Sequence, residues 1–268
     1  MTLSFAAAER QPALFLAHGS PMNAILDTPF SRAWRALGLQ LPRPRAILAV
    51  SAHFQTRGIA VTAMPRPRTI HDFGGFPAAL YQMQYPAPGD PGLARRVAEL
   101  LAPDPVYLDE SHWGLDHGSW SVLVHLYPDA DIPVIQLSLD AGRSALEHYA
   151  LARRLLSLRD EGVLILGLGN IVHNLYTANR DDSAAPYPWA ARFDAAVRAA
   201  LEHGDHEALC QWQELDPEAR QSVPTDEHYL PLLYAAAVHD GDTPWFPTEG
   251  VIWGSLSMLS VGFGRQRP

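Results

Sequence analysis

Short apolar runs alternate along the chain with longer amphipathic segments. Four of the runs are apolar on both faces, as expected for central strands that are covered on both sides of a sheet. These runs are residues 13–17, 46–50, 134–137 and 163–166. Residues 58–63 are predicted to form a fifth strand. Residues 255–261 alternate small polar with apolar side chains, which predicts an edge strand.

The segments between the strands have helical periodicity. Residues 91–101 begin with a proline suited to a first helical turn and place Leu93, Val97 and Leu100 on one face. Alternating strands and helices predict an α/β layer fold with a largely parallel sheet. Without a repeat or a linker-like segment, residues 1–268 are predicted to form one domain. Three more helices are predicted, at residues 144–158, 189–201 and 230–239. A polar stretch at residues 177–188 is predicted to be a surface loop.

Composition narrows the class of protein. Apolar residues make up 47% of the 268 residues and charged residues 18%, which is typical of a globular chain. The net charge of -9 argues against nucleic acid as a partner, because phosphate binding needs a basic surface. A single cysteine, Cys210, excludes an internal disulfide framework. We expect a cytoplasmic protein without a leader or a membrane segment, since no apolar run approaches the ~20 residues that a span needs.

Histidines follow the predicted strands. The chain has 12 histidines, and His18, His53 and His173 each come within a few residues of the carboxyl end of an apolar strand. Loops at that edge of a parallel sheet converge and bind ligands. His228, at the start of a predicted helix, and His117, near two glycines, are further candidates. Neutral imidazoles suit zinc and iron, so the pattern indicates a metal site, although each histidine alone would also fit a hydrogen-bonded loop position.

Other motifs have ordinary structural interpretations. The Gly167-Leu168-Gly169 segment lacks the spacing of a phosphate-binding loop and is predicted to be a strand-to-loop turn. Cys210 lies in a helical stretch and is not expected to be a nucleophile. The remaining histidines that have no strand-end position are expected to be mostly solvated: His112, His125, His148, His203, His206 and His239.

Six ordered motifs resemble one known family, the class III (LigB-type) extradiol ring-cleavage dioxygenases. The resemblance extends over nearly the whole chain. It is similar in particular to the branch that cleaves DOPA. The motifs lie at residues 18–22, 51–54, 70–77, 116–120, 169–175 and 227–233.

The resemblance implies a fold and a site. The fold is a three-layer α/β/α sandwich around a mostly parallel mixed sheet. His18 and His53 match metal-binding histidines, and His173 and His228 complete the metal site. His117 matches a pocket histidine that acts as the acid/base, with His173 as the second candidate for that catalytic role.

The implied activity is the opening of a catechol ring, such as that of DOPA, with O₂ and one divalent metal to give a semialdehyde acid. His71, Asp72 and Tyr229 are expected to contact the small catecholic substrate. The oligomeric state stays open.

Two departures from the family leave questions open. The wider family is usually described with two histidines and a glutamate as ligands, whereas this chain offers four histidines, so the metal is either Zn²⁺ or Fe²⁺. Leu168 replaces an expected small polar residue and is predicted to reshape the pocket wall. Two other functions remain: a zinc-dependent hydrolase on the same fold, and a non-enzymatic interaction protein like the cell-motility mediator Memo.

Overall fold

The protein is described by a computed structural model that covers residues 9–181 and 183–265. The strands are β1 (Ala13–Ala17), β2 (Ala46–Thr56), β3 (Ile59–Thr62), β4 (Val106–Asp109), β5 (Val134–Asp140), β6 (Val163–Gly169), β7 (Pro244–Trp245), β8 (Val251–Ile252), β9 (Leu256–Ser257) and β10 (Val261–Phe263). The α-helices are α1 (Pro29–Gln40), α2 (Ala78–Tyr81), α3 (Pro91–Leu100), α4 (His117–Leu126), α5 (Ala145–Arg153), α6 (Ser157–Asp160), α7 (Pro188–His203), α8 (His206–Cys210), α9 (Ala219–Ser222) and α10 (Leu230–Ala237).

Eight of the strands form one mixed sheet in the order β4-β3-β5-β2-β6-β1-β10-β7. The four central strands, β5, β2, β6 and β1, are all parallel. Ala17 of β1 pairs with Gly169 of β6, and Ser51 of β2 pairs with Leu168. The carboxyl ends of these three strands therefore meet at one edge of the sheet.

Helices cover both faces of the sheet. In β1, Ala13 and Phe15 point into one buried core while Leu14 and Leu16 point into the other. Helices α3, α5, α7 and α10 contribute to the first core, and α1 and α4 contribute to the second. This arrangement confirms the predicted three-layer α/β/α sandwich around a mostly parallel mixed sheet.

Several element boundaries differ from the predictions. The segment 144–158 forms two helices, α5 and α6, instead of one. The predicted strand 255–261 splits into β9 and β10, because the backbone N–H groups of Met258 and Ser260 donate to the carbonyls of Gly250 and Thr248. Strand β2 continues through His53 to Thr56, with a shift of its register against β5 between Val50 and Gln55.

Two histidines that we expected to be solvated are buried instead. Nε2 of His125 lies 2.7 Å from the carbonyl oxygen of Asn23. His148 is fully buried, with Nδ1 2.9 Å from the Tyr234 hydroxyl. Both prefer the core because their ring nitrogens find hydrogen-bond partners there.

No described helix has the properties of a membrane span. Within the described ranges, every helix is too short or too polar to cross a bilayer.

Candidate metal centre

His18 follows β1 at the sheet edge where the parallel strands end. Its backbone N–H donates to the carbonyl of Gly169, 3.1 Å away, which ties the end of β1 to the end of β6. Its ring Nδ1 lies 2.9 Å from the carbonyl oxygen of Gly19 and is therefore the protonated nitrogen. Its Nε2 is buried and has no hydrogen-bond partner in the described parts of the chain. A buried lone pair without a partner is costly unless it binds a cation.

His53 lies within the stretch of β2 where the register against β5 shifts, between Val50 and Gln55. Its Nδ1 is 2.6 Å from a carboxylate oxygen of Asp72, which reaches in from the loop after β3. Because Nδ1 donates to Asp72, the lone pair is on Nε2. The carboxylate also fixes the orientation of the ring, as is common for histidines that bind metals.

His228 is held at the same edge by the end of β6. The backbone N–H of Asn170 donates to its carbonyl at 2.9 Å, and Nδ1 of its ring lies 2.9 Å from Glu227. A Cβ atom on Gly169 would lie only 2.1 Å from the His228 carbonyl oxygen. Residues 167–169 are thus part of β6, not the turn we predicted, and Gly169 lets the backbone of His228 approach the strand.

The three imidazoles form a nearly equilateral triangle. Their ring centroids are separated by 5.2 Å between His18 and His53, 5.4 Å between His18 and His228, and 5.3 Å between His53 and His228. One ring nitrogen from each lies within 4.8 Å of the other two. In all three rings Nδ1 has a partner, which leaves three Nε2 lone pairs for one ion. This donor set fits a divalent zinc or iron ion with an open coordination position.

His173 lies beside this triangle. Its ring stacks on His228 with centroids 3.5 Å apart, and its ligand atom groups with Glu227 and His228 instead of with His18 and His53. Its backbone is fixed by a hydrogen bond from its N–H to the Ser222 carbonyl. The assignment of His173 as a fourth ligand stays a prediction.

His117 is the first residue of α4. Asp116 caps this helix by accepting from the backbone N–H of Ser119, and its other carboxylate oxygen accepts from the side chain of Gln136. The Nδ1 atom of His117 lies 3.0 Å from Asp72, and the ring centroid is 4.0 Å from that of His53. A carboxylate oxygen of Asp72 also accepts from the backbone N–H of His117 at 2.8 Å, so Asp72 holds two histidines at once.

Burial and neighbouring charges set the protonation of the site. Burial lowers the pKa of His18 and of His228 well below the usual value, and it lowers the pKa of His173 to about 4. Burial also lowers the pKa of His117, against the opposing effect of Asp72. These imidazoles are neutral near pH 7 and can act as ligands or as a base.

Asp72 supplies the negative charge beside His53. Burial lowers the pKa of His53, but the carboxylates of Asp72, Asp116 and Glu227 outweigh burial and raise it. Burial raises the pKa of Asp72, yet hydrogen bonds from His117 and His53 hold that pKa well below its usual range. Asp72 is therefore a carboxylate that accepts hydrogen bonds at neutral pH.

A cavity of about 270 Å³ opens onto the histidines. The volume suits a ligand with one aromatic ring. The wall combines the five histidines with aromatic and aliphatic side chains and one arginine: His18, Gly19, Ser20, Pro21, His53, Phe73, Phe76, His117, His173, Leu175, Arg180, His228, Trp253 and Leu256.

Other residues that the sequence pointed to lie away from the cavity wall. His71 packs between Phe73 and Trp120, and its Nε2 lies 2.9 Å from the Met83 carbonyl oxygen. Asp72 stands behind His53 and His117, so it positions histidines instead of lining the cavity. These two residues support the wall from outside.

Tyr229 and Leu168 are also buried elsewhere. Tyr229 is fully buried against Phe193 and Trp212, and its hydroxyl donates to the Leu209 carbonyl at 3.0 Å. The Tyr229 side chain does not reach the cavity, contrary to the predicted contact between Tyr229 and the substrate. Leu168 lies in the core beneath α1 and α4, so it does not form part of the pocket wall as predicted.

The sequence analysis missed two residues of the cavity wall, Arg180 and Trp253. Both lie in loops, and no motif or periodicity singled them out. The sequence feature that could have pointed to Trp253 is the glycine that follows it, Gly254, because glycine is common in tight turns. Both residues adopt positive φ angles in such a turn, 53° for Trp253 and 74° for Gly254.

Comparison with known proteins identifies the family. Residues 12–264 match the model for the catalytic LigB subunit of aromatic ring-opening dioxygenase. The chain is 55% identical over 258 residues to the 4,5-DOPA dioxygenase extradiol of Escherichia coli (strain K12), covering 95% of each chain. It is 42% identical to the protein of the same name from Beta vulgaris, covering 82% of this chain and 84% of that one.

A solved structure agrees with this relationship. The crystal structure of an uncharacterized protein from Escherichia coli K12 superposes with a TM-score of 0.84 at 47% sequence identity, covering 95% of this chain and 100% of that one.

The chain belongs to the LigB family of aromatic ring-opening dioxygenases. It is an extradiol-type, ring-cleaving oxidoreductase that uses a metal cofactor and O₂ on a small aromatic substrate. The resemblance described from the sequence motifs is confirmed.

Proposed function

We propose that the enzyme opens the ring of a catechol, with DOPA as the first candidate, outside the two hydroxyl groups, and yields a semialdehyde acid. The observation that carries this proposal is the triangle of His18, His53 and His228, which lines a cavity with room for one ring. The family assignment favours ring opening over a hydrolase and over a pure interaction protein. A cytoplasmic location stays a prediction from the sequence.

His18, His53 and His228 would hold the metal. When bound there, a divalent ion would lower the pKa of the catechol hydroxyls, and Fe²⁺, unlike d¹⁰ Zn²⁺, would also allow electron transfer to O₂. The three imidazole donors fit either ion, and we propose Fe²⁺ as the metal that supports ring cleavage. His173, stacked on His228, keeps that ring in its plane.

His117 is the proposed acid/base. With Nδ1 near Asp72, the Nε2 atom of His117 carries the lone pair, and its lowered pKa keeps it unprotonated near pH 7. It can take the second phenolic proton when the catechol binds and return a proton when the ring opens. Asp72 stabilises the imidazolium that forms in between, and it holds the ring in the required tautomer.

Apolar side chains complete the substrate site. The Phe73 ring lies 5.4 Å from that of His117 and 5.4 Å from that of Phe76, in edge-to-face contacts. These two rings and Leu256 give the catechol an apolar wall and exclude water from the reacting bond.

Oxygen uptake tests the proposal. Protein loaded anaerobically with Fe²⁺ and then given L-DOPA and air is expected to consume O₂ and to form a yellow product that absorbs in the visible. Protein loaded with Zn²⁺ serves as the control and should consume none. Absence of O₂ uptake by the iron form over a panel of catechols would contradict ring cleavage, and hydrolysis that proceeds without O₂ would replace it.

A further inference from the structure

Arg180 is the one permanently charged side chain on the wall of the metal cavity, counted over the described residues that line it. The rest of that wall consists of histidines, apolar side chains and the Ser20 hydroxyl, and none of these described lining residues has a carboxylate. Asp72 and Glu227 stand behind the histidines and are occupied by them. A negative group on a bound ligand would therefore find one obvious partner, and a positive group would find none.

Arg180 also lies where two cavities join. A second, mainly apolar cavity of about 460 Å³ shares Ser20, Phe76, Arg180 and Trp253 with the metal cavity. Its other walls include Met22, Phe30 and Ile252. A substituent that leaves the ring and points away from the metal would pass Arg180 on its way into this space.

The side chain of Arg180 packs against the Trp253 ring. Its guanidinium carbon lies over the Trp253 ring, 5.5 Å from the centroid. The backbone N–H of Asn179 donates to the Trp253 carbonyl at 3.0 Å, and the N–H of Tyr187 donates to the Gly254 carbonyl at 2.8 Å. These two bonds tie Asn179 and Tyr187, one on each side of Arg180 in the sequence, to the turn that carries Trp253.

Arg180 has no carboxylate partner within the described part of the chain. Among residues 9–181 and 183–265, no carboxylate forms an ion pair with it, whereas many other arginines of the described chain are paired. A guanidinium that stacks by its face keeps the N–H groups along its edge free, and this edge matches a carboxylate in two parallel hydrogen bonds.

We propose that Arg180 determines specificity by binding a carboxylate on the side chain of the substrate, so that the enzyme prefers catechols with an acidic substituent. This inference rests on the proposed function for the ring chemistry, and it adds the class of substituent. Arg180 binds and orients the substrate and takes no part in proton transfer. Its loss is therefore expected to raise KM for acidic catechols and to leave kcat for neutral ones unchanged.

A matched pair of substrates isolates the carboxylate. Dihydrocaffeate and 4-ethylcatechol share the catechol ring and a two-carbon chain, and they differ by the carboxylate. In O₂-uptake assays of the iron-loaded enzyme, Arg180→Met should raise KM for dihydrocaffeate roughly 10- to 100-fold, the usual effect of losing a charged hydrogen bond, and should change kcat/KM for 4-ethylcatechol less than twofold. Arg180→Lys should restore part of the preference.

The control variant is Arg57→Met, which removes the same charge from the exposed turn between β2 and β3. It should leave both substrates unaffected. Equal losses for both catechols in Arg180→Met, or an unchanged KM for dihydrocaffeate, would overturn the proposal.

A binding measurement separates this inference from the proposed function. Isothermal titration of the zinc-loaded protein with each catechol under argon needs no turnover. The wild type should bind dihydrocaffeate at least tenfold more tightly than 4-ethylcatechol, and Arg180→Met should bind both equally. If neither catechol supports O₂ uptake by the iron form, ring cleavage fails, and the titration still decides the role of Arg180: equal affinities in the wild type would refute it.

Discussion

At the scale of single residues, the site depends on which nitrogen of each histidine is free. Hydrogen bonds from Nδ1 to the Gly19 carbonyl, to Asp72 and to Glu227 leave Nε2 unprotonated in His18, His53 and His228. The partners thus set the tautomers, and the tautomers make the three rings suitable ligands. Asp72 has the largest role among these partners because it also contacts His117.

The acid/base role of His117 can be tested by substitution. His117→Gln keeps a polar side chain of similar size but cannot exchange a proton near pH 7. The variant should keep a full equivalent of metal and lose about 10²- to 10⁴-fold in kcat, the usual contribution of general acid–base catalysis. Steady-state O₂ uptake and elemental analysis measure the two quantities.

The matched control is His112→Gln, since the His112 side chain is 76% exposed and stands outside the cavity. It should behave as the wild type. A kcat for His117→Gln within a few fold of the wild type would assign the proton transfer to another group, with His173 as the next candidate.

The residue types at the site could be predicted from the sequence, but the role of each residue could be predicted only in part. His18, His53, His173 and His228 were all predicted to converge, and they do lie together. Which three surround one point depends on ring orientation, and this in turn depends on partners distant in the chain, such as Asp72 for His53. Tyr229 is next to His228 in sequence, yet at the start of α10 its side chain faces the core, so adjacency along the chain misplaced it.

At the scale of elements, the site is built where the ends of β1, β2 and β6 meet the start of α10. Gly169 and Gly167 lie in β6 against the carbonyls of His228 and Pro231, where a Cβ would come within 2.1 and 2.3 Å. Only glycine permits this approach of helix to strand. The position of His228 is therefore a consequence of packing between β6 and α10.

Gly169→Ala is expected to disturb this packing. The added methyl group would push the start of α10 away from β6 and move His228 out of the triangle. We expect a loss of about 1–3 kcal/mol in the free energy of unfolding, the usual cost of overpacking, and weaker retention of metal. Denaturant unfolding and metal analysis after dialysis measure both effects.

Gly142→Ala is the matched control, because the nearest atom to its added Cβ would be a side-chain oxygen 3.4 Å away, an ordinary contact. It should change neither property by much. If Gly169→Ala unfolds like the wild type and keeps all of its metal, the proposed role of the strand–helix contact is wrong.

The elements that the sequence predicted were those with a clear pattern. The strand β1 and the helix α3 were predicted close to their observed limits, since they have a strong apolar run and a regular apolar face, whereas β6 was predicted to end three residues early. Helix α4 was missed, because nine of its ten residues are buried and it lacks the polar face that reveals an amphipathic helix. Short edge strands such as β7 and β8, two residues each, carry too little pattern to detect.

At the scale of the whole molecule, one buried acid makes stability depend on pH. Asp194 of α7 accepts a hydrogen bond from the Ser257 hydroxyl in β9, and burial raises its pKa to about 6. The folded state therefore holds this proton more tightly than the unfolded state, whose aspartate pKa is about 3.9. Stability from this group is full below pH ~4 and is lost as the pH rises to about 6.

Asp194→Asn should remove that loss. The amide keeps an acceptor for Ser257 and avoids the buried charge, so the variant should gain stability relative to the wild type above pH 6, by an amount of up to about 3 kcal/mol, and the gain should vanish near pH 4. Unfolding by urea at several pH values measures the difference. Glu110→Gln, at an exposed position, is the control and should give a difference that does not depend on pH. A pH-independent gain for Asp194→Asn would contradict the raised pKa.

The central claim is that His18, His53 and His228 bind one divalent ion through Nε2. The most direct measurement is anomalous diffraction from crystals of the iron- or zinc-loaded protein, collected on both sides of the metal absorption edge. We predict a single strong peak at a metal–nitrogen distance of ~2.0–2.1 Å from all three Nε2 atoms, at the bottom of the cavity. A peak elsewhere, or full metal content with no peak among these three rings, would contradict the account.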